Sequence, residues 1–267
     1  MNSVIDQVNN LLYKYPSLYE IAMKYGHSNL WLKYNTLLGQ IEGTDDLVQC
    51  AITKLLGLVM IGFSFDETML GFLNIIFDPS SQIKNFEFRP HPGDMYIYSF
   101  LEISQVLEKT INRKADISII HLTLLSAKPA FAHANILLVN KLDRSIEHFE
   151  PHLDISPSLK IHELYDFLAG LAGSIGYSYI PPLYYCPNLG SDKPIEGWQS
   201  KEGLFQREKD QPEGYCVIWS IFYAYLRIVY PEIDPREIIN DFTIIEPQSL
   251  RIIIRMITSM VVDLCTQ

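Results

Sequence analysis

The chain has 267 residues, of which 48% are hydrophobic and 19% charged, and its formal net charge is −10. That composition supports a sizeable core and excludes global disorder. The acidic balance and the lack of a basic cluster disfavour nucleic acid as the main ligand, and an anionic membrane surface as well.

Residues 1 to about 80 read as helices. The stretch "SVIDQVNNLLYKY" carries apolar residues at helical spacing. "TDDLVQCAITKLLGLVMIGF" opens on Thr44, an N-cap type, with acids in its first turn. "SFDETMLGFLNIIF" has the same form. The apolar run near 55–65 is too short to span a bilayer, and the polar, amphipathic start does not read as a signal peptide. A cytoplasmic or nuclear protein is expected, with virion association left open. The prolines and serines of "DPSSQIKNFEFRPHPGD" mark a boundary. They divide the chain into a helical accessory region, 1–84, and a second domain, 85–267.

After a helix in "MYIYSFLEISQVLEKTINRK" the pattern changes. "ADISIIHLTLLSA", "AHANILLVNK" and "SIEHFEPH" read as strands, the last two joined by "KLDR", a four-residue turn suited to a hairpin. "ISPSLKIHELYDFLAGLAGSIG" predicts a helix ending at Gly176. Its glycines do not follow a strand as a nucleotide-binding loop requires. "YSYIPPLYYCPN" predicts another strand. The stretch 191–210 has nine charged residues in twenty and reads as an exposed loop. Helices at 216–230, 234–242 and 247–265 close the chain. The order gives an α+β fold with a mixed β-sheet flanked by helices, behind a helical N-terminal region.

The four cysteines, Cys50, Cys186, Cys216 and Cys265, are widely spaced and form no CxxC pair. They read as free thiols in a reducing compartment, not as a disulfide frame or zinc site. Cys216 differs from the others because it opens a helix, in "EGYCVIWSIFYAYLRI". A thiol is a nucleophile only as thiolate, and a helix N-terminus or a nearby imidazolium favours that form. Buried cysteines are ordinarily small hydrophobes, so a base is needed to make the case. His133 opens the first hairpin strand, and Glu150 lies seventeen residues on, at the end of the second. The hairpin sets these positions side by side, where the carboxylate can hold the imidazole and stabilise its protonated form. His148 and His152 flank Glu150 and read as surface or edge residues. Asn135 could add a hydrogen bond on the His133 face. Trp198 and Trp219 read as packing residues.

These residues resemble the cysteine protease clan of the adenovirus maturation protease (adenain) and the SUMO and ubiquitin-like-protein proteases. The order His, acid, Gln, Cys matches, as does the His-to-acid separation. "FEPH" resembles the viral enzyme's acid-bearing motif, and "QPEGYC" resembles the SUMO proteases' glutamine-to-cysteine motif with one residue missing. "FEPH" with "GYCVIWS" is also similar to uncharacterised proteins of large DNA viruses. The likeness covers roughly 115–240. Two positions depart from the clan: Ala134 stands where Trp usually follows the histidine, and Val217 where Gly usually follows the cysteine.

The resemblance implies a papain-like, adenain-like core and a thiol protease with a Cys216–His133–Glu150 triad. An oxyanion donor would come from Gln199 or Gln211. It implies cleavage after small residues, often Gly-Gly, in a ubiquitin-like modifier or viral precursor, with no cofactor. Two alternatives remain at this point. One is an acetyltransferase using the same triad and acetyl-coenzyme A. The other is an inactive protease fold kept as a binding module.

Overall fold

The computed structural model describes residues 3–41, 44–59, 65–91, 93–127, 130–152, 160–185, 197–203 and 215–267. In chain order, helices α1 (Val4–Lys14), α2 (Pro16–Tyr25), α3 (Tyr34–Gln40), α4 (Thr44–Val59) and α5 (Phe65–Thr68) come first. Strands β1 (Met69–Phe77), β2 (Ile83–Pro90) and β3 (Tyr96–Ile97) follow, then α6 (Phe100–Ile111). Next are β4 (Ile117–Ala127), β5 (Ala130–Asn140), β6 (Ser145–Phe149), α7 (Ile161–Ser174) and β7 (Ser178–Ile180). Helices α8 (Pro182–Tyr185), α9 (Trp198–Gly203), α10 (Cys216–Val229), α11 (Pro235–Thr243) and α12 (Pro247–Thr266) complete the chain. Among the described residues no helix is long and apolar enough to cross a membrane.

Two compact units result. One comprises Met60–Glu150 and Asp154–Tyr184; the other comprises Met1–Val59, Pro151–Leu153 and Tyr185–Gln267. The division therefore differs from the expected split at 84/85, a position that falls inside β2. Chain ends far apart in sequence share the helical unit.

The first unit is built on a seven-stranded mixed sheet of order β3-β2-β1-β4-β5-β6-β7. β1 is parallel to β4 and β6 to β7, while the other neighbours are antiparallel. One sheet face presents Leu73, Ile75, Leu122, Leu124, Leu137, Val139 and Ile146 to a core shared with Ile103 and Leu107 of α6 and Leu164, Leu168 and Leu171 of α7. Helix α7 ends as expected. Gly176 takes φ +75°, open only to glycine at low cost, and the Tyr177 N–H donates back to the Ala172 carbonyl.

One expected helix is corrected. In "SFDETMLGFLNIIF" only Phe65–Thr68 is helical, and Met69–Phe77 is strand β1. β1 lies between β2 and β4 and is buried along most of its length. A strand covered on both faces reads as a continuous apolar run, which periodicity cannot separate from a buried helix.

In the second unit α10 is apolar all round, and Val217 to Ile228 are all buried, as a central helix requires. Its one charged residue, Arg227, sits in the last turn and donates to the Ile233 carbonyl at 2.8 Å. The N-terminal helices pack on the C-terminal ones. Tyr15 donates to Asp241 at 2.6 Å and Tyr25 to Asp263 at 2.6 Å, while the Trp31 N–H donates to Ser259 Oγ at 3.1 Å. Residues 3–59 are thus part of this unit's core and not a separate accessory region.

Cys50 of α4 and Cys265 of α12 are joined as a disulfide across 215 residues. The expectation of free thiols throughout is corrected by this pair. Wide spacing conceals a bridge whose partners are brought together only by the packing of two distant helices.

Candidate functional site

The hairpin β5–β6 fixes the expected base and its carboxylate. Its register pairs Asn140 with Ser145 across the four-residue turn and Leu137 with His148. Arg144 closes that turn at φ 49°. Counting out from that register, His133, Asn135 and Leu137 of β5 share a face with Ile146, His148 and Glu150 of the β6 segment. The His133 Nε2 and Glu150 Oε1 atoms are 2.5 Å apart. Both side chains are buried, His133 at 7% exposed and Glu150 at 2%. A short, charge-assisted hydrogen bond in such surroundings locks the ring's orientation and stabilises positive charge on it.

His148 is not the surface or edge residue that strand position suggested. It is fully buried, with Nδ1 2.7 Å from the Tyr179 hydroxyl and Nε2 3.0 Å from Asn135 Oδ1. Asn135 therefore serves His148. Burial pushes the His148 pKa down to about 4; the Glu150 charge opposes that shift and the His133 charge adds to it. The neutral ring donates from Nε2–H to the Asn135 oxygen and accepts the Tyr179 hydroxyl proton at Nδ1.

This depression sets a pH dependence. The unfolded histidine titrates near 6.5. As pH falls from there to about 4, the unfolded chain takes a proton that the folded chain refuses. Stability from this group is complete above about pH 6.5 and falls by about 3 kcal/mol by the acid end of the window. His148→Gln, which cannot titrate, is expected to flatten that loss. Urea midpoints at pH 7 and pH 4.5 for the two proteins measure it, and equal losses would contradict it.

The expected nucleophile, Cys216, belongs to the helical unit. Cys216 is the first residue of the 14-residue helix α10, is partly exposed and is not in a disulfide. Its neighbour Tyr215 is the N-cap residue and makes no side-chain cap hydrogen bond. The first-turn N–H groups of such a helix favour negative charge on the thiol.

Gln199 does not lie in an exposed loop, as the charge content of 191–210 suggested. It is buried in the first turn of α9, at 8% exposure. Its Oε1 atom is buried with no hydrogen-bond partner among the described residues. The Gln199 N–H donates to the Pro151 carbonyl at 3.0 Å, and the Gly197 N–H to the His152 carbonyl at 3.2 Å. Only glycine permits this approach, because a Cβ on Gly197 would lie 2.4 Å from the Pro151 oxygen. Ser200 adds contacts of 2.7 Å to both Nδ1 and the carbonyl of His152.

Two buried contacts anchor α9. Trp198 packs on Trp219, Phe222 and Phe242 and donates to the Ile239 carbonyl at 3.3 Å. Glu202 pairs with Arg251 of α12 at 2.5 Å, the two side chains being 0% and 4% exposed. Gln211 and Cys186 lie outside the described residues. Among the described residues no group of three or more His, Cys, Asp or Glu side chains could hold a metal ion.

No family model matches the chain. It is similar to a protein of Acanthamoeba polyphaga mimivirus named as an ankyrin repeat protein, at 27% identity over 148 residues. That stretch covers 49% of this chain and only 19% of the mimivirus protein.

Proposed function

We propose that the chain is a thiol peptidase with a papain-like core of the adenain and SUMO-protease kind. The observation that carries the reading is the buried His133–Glu150 pair at 2.5 Å. A histidine held by a buried carboxylate is the base that a cysteine nucleophile needs. Cys216 at the head of a long helix supplies that nucleophile. The similarity to a mimivirus protein supports the viral side of the resemblance.

In this mechanism His133 accepts the Cys216 proton, and Glu150 stabilises the imidazolium. The thiolate attacks the scissile carbonyl, forming a tetrahedral oxyanion. The oxyanion takes hydrogen bonds from the Cys216 N–H and a glutamine amide. His133 then protonates the leaving amine, and water hydrolyses the thioester. The substrate is a protein, either a ubiquitin-like modifier or a viral precursor cleaved after a small residue.

The state of Gln199 makes it the stronger candidate for the amide. Its helix is clamped by Trp198 and Glu202, which holds the buried Gln199 side chain in place. Gln199→Ala is expected to lower kcat/KM by about 10²–10³-fold, the cost of one oxyanion donor, with Gln211→Ala much milder. Steady-state kinetics on a ubiquitin-like precursor tests this. The reverse order would move the role to Gln211, and two near-wild-type variants would remove it from both.

A further inference from the structure

The N-terminal helices carry no motif, yet they deliver one side chain to the Cys216 helix. Tyr34, the first residue of α3, is completely buried. Its ring stacks on that of Tyr215, with centroids 5.8 Å apart and planes at 24°. Tyr215 immediately precedes Cys216 and caps α10. The Tyr34 hydroxyl is buried with no hydrogen-bond partner among the described residues. Leaving a buried hydroxyl unsatisfied costs about 1–3 kcal/mol, so such a group calls for an explanation.

The stacking on Tyr215 sets the Tyr34 ring beside the residue bonded to Cys216. Burial pushes the Tyr34 phenol up, and negative charge on Cys216 and then on Tyr215 pushes it further. The phenol thus stays protonated and remains a donor, in a place where the thiolate's charge is felt.

We propose that Tyr34 is a positioning residue for Cys216, its phenolic O–H directed to the thiolate sulfur when the thiol ionises. This rests on the reading of Cys216 as the reactive thiol. The neutral thiol is a weak acceptor, whereas the thiolate is a strong one. A hydroxyl with no partner among the described residues is therefore satisfied in the ionised form. The N-terminal helices contribute to the chemistry through this one group as well as to the core.

The test is the pH profile of Cys216 alkylation by iodoacetamide, followed by mass spectrometry of the Cys216 peptide. Tyr34→Phe keeps the ring and removes the donor. It is expected to move the midpoint to higher pH and to slow alkylation at pH 7 about tenfold, as loss of one hydrogen bond to a charged group implies. Its melting temperature should not fall, because the deleted hydroxyl had no partner among the described residues. Incorporating 3-fluorotyrosine at position 34, a more acidic donor in the same space, should move the midpoint the other way. An unchanged midpoint in both proteins would overturn the proposal. Alkylation needs no peptide substrate. A shifted midpoint in a protein that cleaves nothing would uphold the Tyr34 role and sink the peptidase reading alone.

Discussion

Cys216→Ala is expected to lower kcat/KM on a ubiquitin-like precursor by at least about 10³-fold, since removing a nucleophile leaves only binding and oxyanion stabilisation. Alanine occupies most of the thiol's volume, and Cys216 is partly exposed, so the melting temperature should move little. The control is Cys186→Ala, which should keep full activity. Cys50→Ala is a different experiment, because it opens the Cys50–Cys265 bridge. It should retain chemistry per folded molecule while losing stability, by the several kcal/mol expected for closing a long loop. Near-wild-type turnover by Cys216→Ala would exclude it as nucleophile.

Arg251→Ala is expected to have the largest effect on stability. The Glu202 carboxylate is wholly buried and meets the Arg251 guanidinium at 2.5 Å. Removing one partner of a buried ion pair costs about 3–5 kcal/mol, because the other charge stays out of water without it. For a protein of this size that is a fall of about 10 °C in melting temperature. The double change Glu202→Leu with Arg251→Met removes both charges and should recover most of the loss. Thermal unfolding of the three proteins checks it. A fall within 2 °C for Arg251→Ala would mean that the pair contributes little. Since Glu202 and Gln199 share α9, the single variant should lower activity as well as stability.

The sequence made the His133–Glu150 pair legible because hairpin geometry is local. A four-residue turn fixes the register, and the register alone places His133 beside Glu150. The closing helices were equally readable from their caps and apolar runs, as Asp234 shows by accepting the Arg236 N–H at 2.8 Å ahead of α11. What was hidden depends on distant partners. The charges in 191–210 suggested solvent, but Glu202 is buried against a residue 49 positions later. Likewise the burial of His148 depends on Tyr179, 31 positions on, after α7. Tyr34 carries no local signal, because its neighbour Tyr215 lies at the other end of the chain. β1 was concealed for another reason, since an apolar run buried on both faces has no strand period to read.

The central claim is that Cys216 is a nucleophile activated by His133. It is tested most directly with a panel of ubiquitin-like proteins carrying a C-terminal propargylamide, followed by intact-mass and peptide analysis of the product. The account predicts one covalent adduct with at least one panel member, located at Cys216. Adduct formation should slow by at least about 10²-fold in His133→Ala, the loss expected for a general base. An adduct at another residue, or equal rates in wild type and His133→Ala, would contradict it. Acetyl release from acetyl-coenzyme A without any adduct would point instead to acyl transfer. A protein unreactive toward every probe and toward acetyl-coenzyme A would point to a binding module.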